Sequence, residues 1–263
     1  MKIYLISRPT IDDKGLSSFL NDEGQNWRRT PNTNDSEDIV EISGRICHMS
    51  FGHRQLTSSN RDFIESLIAK QHESVLEHAT WTFIATGITR SLTHQIVRHR
   101  IGFSFSQMSQ QYNDQTSFEF IIPPGLEGNE NIRKELEKSE KASRDAYSNL
   151  KNLIEKQQVN NVIKEERGSK GVAEKFLRSA ARSVLPNCIE TKLVFSANGR
   201  SIRHFLKLRG NIVWDIEMRL FCHELLLIMK QEAHNIFRDF TINVHEDGHP
   251  IISHNKSINS NAS

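Results

Sequence analysis

The 263-residue sequence has no long apolar run, no glycine-rich phosphate cradle and no paired cysteines, and each absence excludes a class of protein. In the opening stretch, MKIYLISRPTIDD, the apolar run is four residues, too short for a signal-peptide core or a membrane span. Cys47, Cys188 and Cys222 stand far apart with no CxxC among them, so neither a zinc knuckle nor a disulfide framework is indicated and a reducing cytoplasm fits. GxGxxG, the P-loop pattern and GxSxG are all missing, which removes Rossmann and Walker cradles and the nucleophile elbow. With 34 Lys and Arg against 32 Asp and Glu, the net charge of +2 argues against a long nucleic-acid track. There is no internal repeat.

What is present is concentrated in Ser91 to Tyr112, SLTHQIVRHRIGFSFSQMSQQY. Arg98, His99 and Arg100 precede a run of hydroxyl and amide side chains: Ser104, Ser106, Gln107, Ser109, Gln110 and Gln111. A hydrophobic core has little use for such a run. Phe103 and Phe105 alternate with Ser104 and Ser106, which predicts a short extended segment. A guanidinium offers a planar fork of donors matched to phosphate oxygens, and Ser and Gln can read a heterocycle's edge. Together they point to a phosphorylated small molecule. Taken alone, the triplet reads as a solvated helix end and the Ser/Gln run as a polar loop, so the phosphate reading leans on the rest of the chain.

In chain order, Lys2 to Ser7 is expected as a strand, and residues 10–36 as a long surface loop with one short helix. A helix capped by Asp35-Ser36 runs on from about Glu37 with Ile39, Ile42 and Ile46 in step, and a second covers Asn60 to Gln71. His72 and His78 of HESVLEH are six apart, not the four-residue step that aligns two ligands on a helix, so no metal site is expected. TWTFIATGI reads as a strand, followed by a helix from Thr89. SFEFIIPP, residues 117–124, reads as a strand stopped by two prolines. A charged helix from about 131 to 158 carries Ile132, Leu136, Tyr147, Leu150 and Ile154 on one stripe, and residues 159–171 are a loop. Val172 to Leu185 is a helix ended by Pro186, and a strand runs through Leu193 to Phe195. Next comes a helix burying Ile202, Phe205, Leu206 and Leu208, then a long one from Ile212 to Phe237. One domain is expected over 1–250 with an insertion at about 10–36, and a disordered tail over 251–263.

With no cradle available, phosphate binding falls to arginines from separate segments: Arg98, Arg100, Arg182, Arg200 and Arg209. Each has an Asn, Gln or Ser within a helical turn along the chain.

At this point RHRIGFSFSQMSQQY resembles the signature of the flavin-dependent thymidylate synthases, RHR followed by a Ser/Gln-rich segment ending in Tyr. The likeness continues in HESVLEHATWTF upstream and in ARSVLP and NGRSIRHFLKLR downstream, with a fainter match at GRICHMS. It is colinear from about Gly44 to Phe237. The resemblance implies the family's own α/β (α+β) fold over a single catalytic domain, with a central antiparallel or mixed sheet flanked by long helices, and a homotetramer whose active sites are shared between subunits. It implies that NADPH reduces bound FAD, methylenetetrahydrofolate supplies one carbon and dUMP becomes dTMP. By motif, Ser74, Arg98, His99, Arg100, Asn198, Arg200 and His204 would hold FAD, and Gln95, Arg98, Ser109 and Arg182 the nucleotide. Gln107 would touch both, and Arg209 would lie against the pyrimidine ring as the catalytic group. No nucleic acid and no membrane enter this reading.

Two departures stand out. One extra residue at Gly102-Phe103 separates RHR from the Ser-rich segment, to be absorbed as a bulge or a glycine-permitted kink. Gln111 stands where the family commonly has an arginine for the nucleotide phosphate. Either another cation substitutes, or the substrate is another pyrimidine nucleotide such as UMP. A catalytically weak flavin- or nucleotide-binding regulator is the reading from a different class.

Overall fold

The computed structural model describes residues 1–160 and 170–255, and the side chains of all these except 158–160 and 170–173. Most of the loop expected at 159–171 and the tail from 256 lie outside the described residues. In chain order the elements are β1 Lys2–Ser7, α1 Asp13–Asp22, α2 Asp35–Ile46, α3 Asn60–Ala69, β2 Thr80–Thr89, α4 Arg90–Ile96, β3 Phe103–Gln107 and α5 Glu130–Asn160. They continue with α6 Lys170–Ala181, β4 Glu190–Asn198, α7 Gly199–Arg209, α8 Ile216–Glu232, α9 His234–Phe237, β5 Phe240–Val244 and β6 Pro250–His254. Short 3-10 turns at Glu73–His78 and Arg182–Val184 complete the set used below.

Period-two patterning makes the main strands: β2 buries Trp81, Phe83 and Ala85, and β4 buries Thr191, Leu193, Phe195 and Ala197. A four-stranded sheet has the order β1-β2-β4-β3. The Thr82 hydroxyl bonds that of Ser196 while Gly87 N–H donates to the Glu190 side chain, so β2 and β4 run antiparallel. Met108 N–H donates to the Lys192 carbonyl and Asn198 N–H to that of Gly102, which makes β3 and β4 antiparallel too.

The chain gathers into two compact units, and β2, β3 and β4 pass through both. One unit comprises Met1, Ala85–Arg98 and Ser106–Leu193. There α5 packs on α6, and buried Tyr147 accepts the Gln115 N–H at 3.3 Å. The guanidinium of Arg144 stacks on Phe118 and donates to the Thr116 carbonyl at 3.1 Å, fixing the chain between them. The other unit comprises Lys2–Ile84, His99–Phe105 and the chain from Val194 on. Its core is aromatic, with Phe83 stacked on Phe195 at 4.9 Å and Phe205 and Phe221 edge to face.

Several expectations change. The cap of α2 is Asn34, not Asp35-Ser36, and it forms a capping box with Glu37. The interior face of α2 is also polar. Glu37, Asp38, Glu41 and Arg45 are buried while Ile46 is exposed, because Gln55, Asn60 and Asn235 bring partners from distant segments. Residues 117–124 make one isolated bridge, Phe120 to Ile189, rather than a strand, since Pro123 and Pro124 have no N–H to extend a ladder. The helix expected to Leu185 stops at Ala181 and tightens into a 3-10 turn. Leu208 is 43% exposed, and buried Arg203 and Arg209 share the α7 interior with Ile202, Phe205 and Leu206. The span 212–237 is not one helix: Asp215 caps α8, Ala233 breaks it, and exposed Ile212 and Val213 precede it. The hairpin β5–β6, absent from the sequence reading, occupies 251–254 of the expected tail.

Candidate functional site

In the unit holding residues 85–98 and 106–193, the candidate residues form a basic and amide-rich cluster. The Thr89 hydroxyl caps α4 by accepting from Leu92 N–H at 2.9 Å, and this short helix delivers Gln95 and then the exposed Arg98. Arg90 opens α4, and Arg182 opens the 3-10 turn after α6. Burial first, and then the charge of Arg182, hold the Arg90 pKa below the usual guanidinium value. Among the described residues the Arg90 guanidinium reaches one acceptor, the Met108 carbonyl, at a long 3.5 Å, and no carboxylate pairs with either arginine. Two half-buried like charges without a counter-ion favour an anionic ligand.

Gln107, the last residue of β3, donates to the Thr93 hydroxyl at 2.9 Å and the Thr191 hydroxyl at 3.3 Å, leaving its amide oxygen as acceptor. Ser109 accepts from Gln111 N–H at 3.3 Å. Gln110 is buried, and its side-chain nitrogen has no acceptor among the described residues. Gln111, the substituted position, donates to the Ser179 hydroxyl at 3.1 Å. It ties the polar segment to α6 three residues before Arg182, where the family's arginine would meet phosphate directly.

In the other unit, His99 and Arg100 enter a sharp turn. Gly102 has φ of +70°, and a Cβ there would lie 2.0 Å from Ser201 Oγ and 2.6 Å from Asn198 Nδ2. The extra residue is therefore absorbed as a left-handed kink that only glycine can make. Ser201 Oγ donates to the Ile101 carbonyl at 2.8 Å, and Asn198 Oδ1 caps α7 by accepting from Ser201 N–H at 2.9 Å. Arg209, 7% exposed, donates from Nε to His99 Nε2 at 2.8 Å while its guanidinium lies 3.9 Å from the Trp214 ring centroid. Accepting at Nε2 leaves the His99 proton on Nδ1. The His99 ring also meets Phe205 edge to face at 5.0 Å and lies 6.4 Å from the His204 ring.

The rest of the predicted cofactor set is more open. Ser74 and His204 are exposed, and Arg200 pairs with Glu77 at 2.6 Å with both half in solvent. Among the described residues no group of three or more His, Cys, Asp or Glu is placed to hold a metal, and no helix is long and apolar enough to cross a membrane. The sequence reading missed Arg90, which looked like an ordinary helix start, and Trp214, which counted as helix core. In the sequence, only its place at the head of the helix that leads into RHR sets Arg90 apart.

Residues 30–234 match the family model described as thymidylate synthase complementing protein. The chain is 36% identical over 211 residues to the flavin-dependent thymidylate synthase of Mycolicibacterium gilvum (strain PYR-GCK), covering 80% of this chain and 82% of that protein. It is 37% identical over 211 residues to that of Mycobacterium sp. (strain JLS), with the same coverage. Against that of Mycobacterium marinum (strain ATCC BAA-535 / M), it is 36% identical over 223 residues, 83% of this chain and 85% of that one.

Proposed function

Because the chain belongs to the flavin-dependent thymidylate synthase family, we propose that it converts dUMP to dTMP with FAD as cofactor, methylenetetrahydrofolate as one-carbon donor and NADPH as reductant. We place it in the cytoplasm as a homotetramer whose active sites draw on several subunits. The observation that carries the reading is Arg209: a buried guanidinium fixed between an imidazole acceptor and an indole face, beside the RHR turn.

The residues suit a flavin nucleotide. The turn that presents His99 and Arg100 is fastened at Gly102 by Asn198 and Ser201, so its donors are fixed before any ligand arrives. Arg98 and Arg100 are exposed, and no acidic partner among the described residues neutralises either. Ser74, Asn198, Arg200 and His204 complete the proposed flavin set, with Gln107 offering its amide oxygen. When bound, the flavin supplies the hydride that completes the methyl group.

For the nucleotide, Arg90 and Arg182 are assigned to the phosphate, and Gln95, Arg98 and Ser109 to orienting the remainder. Arg209 stabilises the negative charge that builds over N3 and the ring carbonyls as C5 becomes nucleophilic. No thiol is needed at C6, and burial pushes both the Cys188 and Cys222 thiols up, away from nucleophilic form. The test is a product assay: purified protein with FAD, NADPH, methylenetetrahydrofolate and C5-tritiated dUMP should release tritium and form dTMP. A colourless preparation that neither takes up FAD nor makes dTMP refutes the proposal.

A further inference from the structure

The hairpin β5–β6 lies beyond residue 234, where the family match ends, and the chemistry above does not use it. It is nonetheless fastened to the helices on either side of Arg209 at three points. At its base, Arg203 of α7, fully buried, makes a fork to Asp239 at 2.6 and 2.7 Å. At its tip, Arg219 of α8, 2% exposed, pairs with Asp247, and this bond above all holds the Asp247 carboxyl below its ordinary range. Between them, Ile252 N–H donates to the Gly210 carbonyl at 2.7 Å.

That last contact falls on the residue after Arg209. Gly210 caps α7, and a Cβ on it would lie 2.7 Å from Ile252 Cβ and 2.8 Å from the Leu206 carbonyl. Only a residue without a side chain lets the strand seat this closely. A helix end is where carbonyls lack partners and turns fray. The residues that follow hold one carbonyl of this turn, since Trp214 Nε1 at 2.6 Å and Asn211 Nδ2 at 3.3 Å donate to Leu208, while the Gly210 carbonyl is left to the hairpin.

We propose that the C-terminal hairpin is the positioning element for Arg209, clamping the last turn of α7 so that the guanidinium stays on His99 and Trp214. The proposal rests on the reading of Arg209 as the group set against the pyrimidine. It explains why two buried arginines flanking Arg209 in sequence, Arg203 and Arg219, are spent on hairpin carboxylates. A displacement of about 1 Å in a positioned group costs on the order of a hundredfold in rate, so the last turn of α7 has to be held.

The test compares wild type with Gly210→Ala, which drives a methyl into the seat, and Asp247→Asn, which removes the charge of the tip ion pair with Arg219. One readout needs no activity: the rate at which phenylglyoxal modifies Arg209 in the full-length protein, mapped by mass spectrometry, with buried Arg45 as reference. The second is the split between kcat and the KM for dUMP, with FAD content measured alongside. Faster labelling of Arg209 but not Arg45 is expected in both variants, with kcat down about tenfold or more, and FAD content and KM within about twofold. Unchanged Arg209 labelling overturns the proposal, as does a fall in kcat matched by loss of FAD and faster Arg45 labelling. If wild type makes no dTMP while the selective labelling appears, the clamp stands and the enzymatic reading falls.

Discussion

Replacing Arg90 with glutamine isolates the phosphate assignment. Arg90 is half-buried, its charge is opposed by Arg182, and among the described residues its guanidinium makes one bond, a 3.5 Å contact to a carbonyl, so the free protein gains little from its cation. A bound phosphate monoester gains a charge-assisted hydrogen bond from it, worth about 1.5–3 kcal/mol. Arg90→Gln should therefore weaken dUMP binding roughly ten- to a hundredfold. Binding of deoxyuridine, which has no phosphate, should not change. In thermal or urea unfolding, dUMP at 100 times the wild-type Kd adds about 2.7 kcal/mol to wild type. The variant should gain only about 1.4 kcal/mol if binding is tenfold weaker and about 0.4 kcal/mol if a hundredfold weaker. Without ligand it should be as stable as wild type or slightly more so, since a like-charge repulsion has gone. A full dUMP-induced shift in the variant, or an equal loss for deoxyuridine, would refute the assignment.

Gln111→Leu and Ser179→Ala should each raise the dUMP KM several-fold with kcat within about twofold, and the double variant should be no worse than either, because both break one tie beside Arg182. Additive losses in steady-state kinetics would show that the two residues act separately. Gly102→Ala puts a side chain into a left-handed backbone and into Asn198 and Ser201, at a cost of about 1–3 kcal/mol. Differential scanning fluorimetry and flavin absorbance should record a lower Tm and reduced FAD content, and a variant matching wild type in both would count against the fastened turn. Burial lifts the Asp38 carboxyl to about 6 against its bond from Thr33 and the charge of Arg29. The folded chain thus holds a proton that the unfolded chain releases near 3.8, so this group favours folding most below that value and the benefit is lost as pH rises through 6. Asp38→Asn should flatten the fall in unfolding free energy between pH 4 and 7, read from urea titrations, by up to roughly 3 kcal/mol, with a residual slope of the same sign from Glu37, also raised by burial. An unchanged slope would mean that Asp38 is ionised throughout.

Local periodicity carried much of the fold into view. Trp81 and Phe83 alternate on β2, the Ile132-to-Ile154 stripe follows α5, and Phe103 and Phe105 line β3, all set by neighbours in sequence. The failures share a different cause. Glu41 and Arg45 are a visible i,i+4 pair, but nothing near α2 announces that Gln55 and Asn60 will join them and bury that face, so a helix with an isoleucine stripe was read one face out of place. The hairpin does carry a turn signal, Asp247-Gly248 with Gly248 at φ +80°, but it lies in a five-residue connection rather than a two-residue loop, and the polar residues around it read as tail. At the site, the polar segment was plain from composition, whereas Arg90 became visible only through its burial beside Arg182, a long-range fact. Gln111 showed the opposite pattern: the substitution was evident, and its compensation through Ser179 was not.

The dry carboxylates of α2 determine how that helix can dock. An oily helix face tolerates sliding by a turn, since one methyl group serves much like another. Here Glu41 must meet Arg45 at 2.7 Å and Asn60 at 2.8 Å, while Glu37 receives the amide of Asn235 from almost 200 residues away. Any slipped alignment strands charge in the buried interior, a penalty of several kcal/mol that no neighbouring contact offsets. Swapping these groups for leucine and methionine would make a hardier interior with more than one way to assemble. As it stands, α2 has one address.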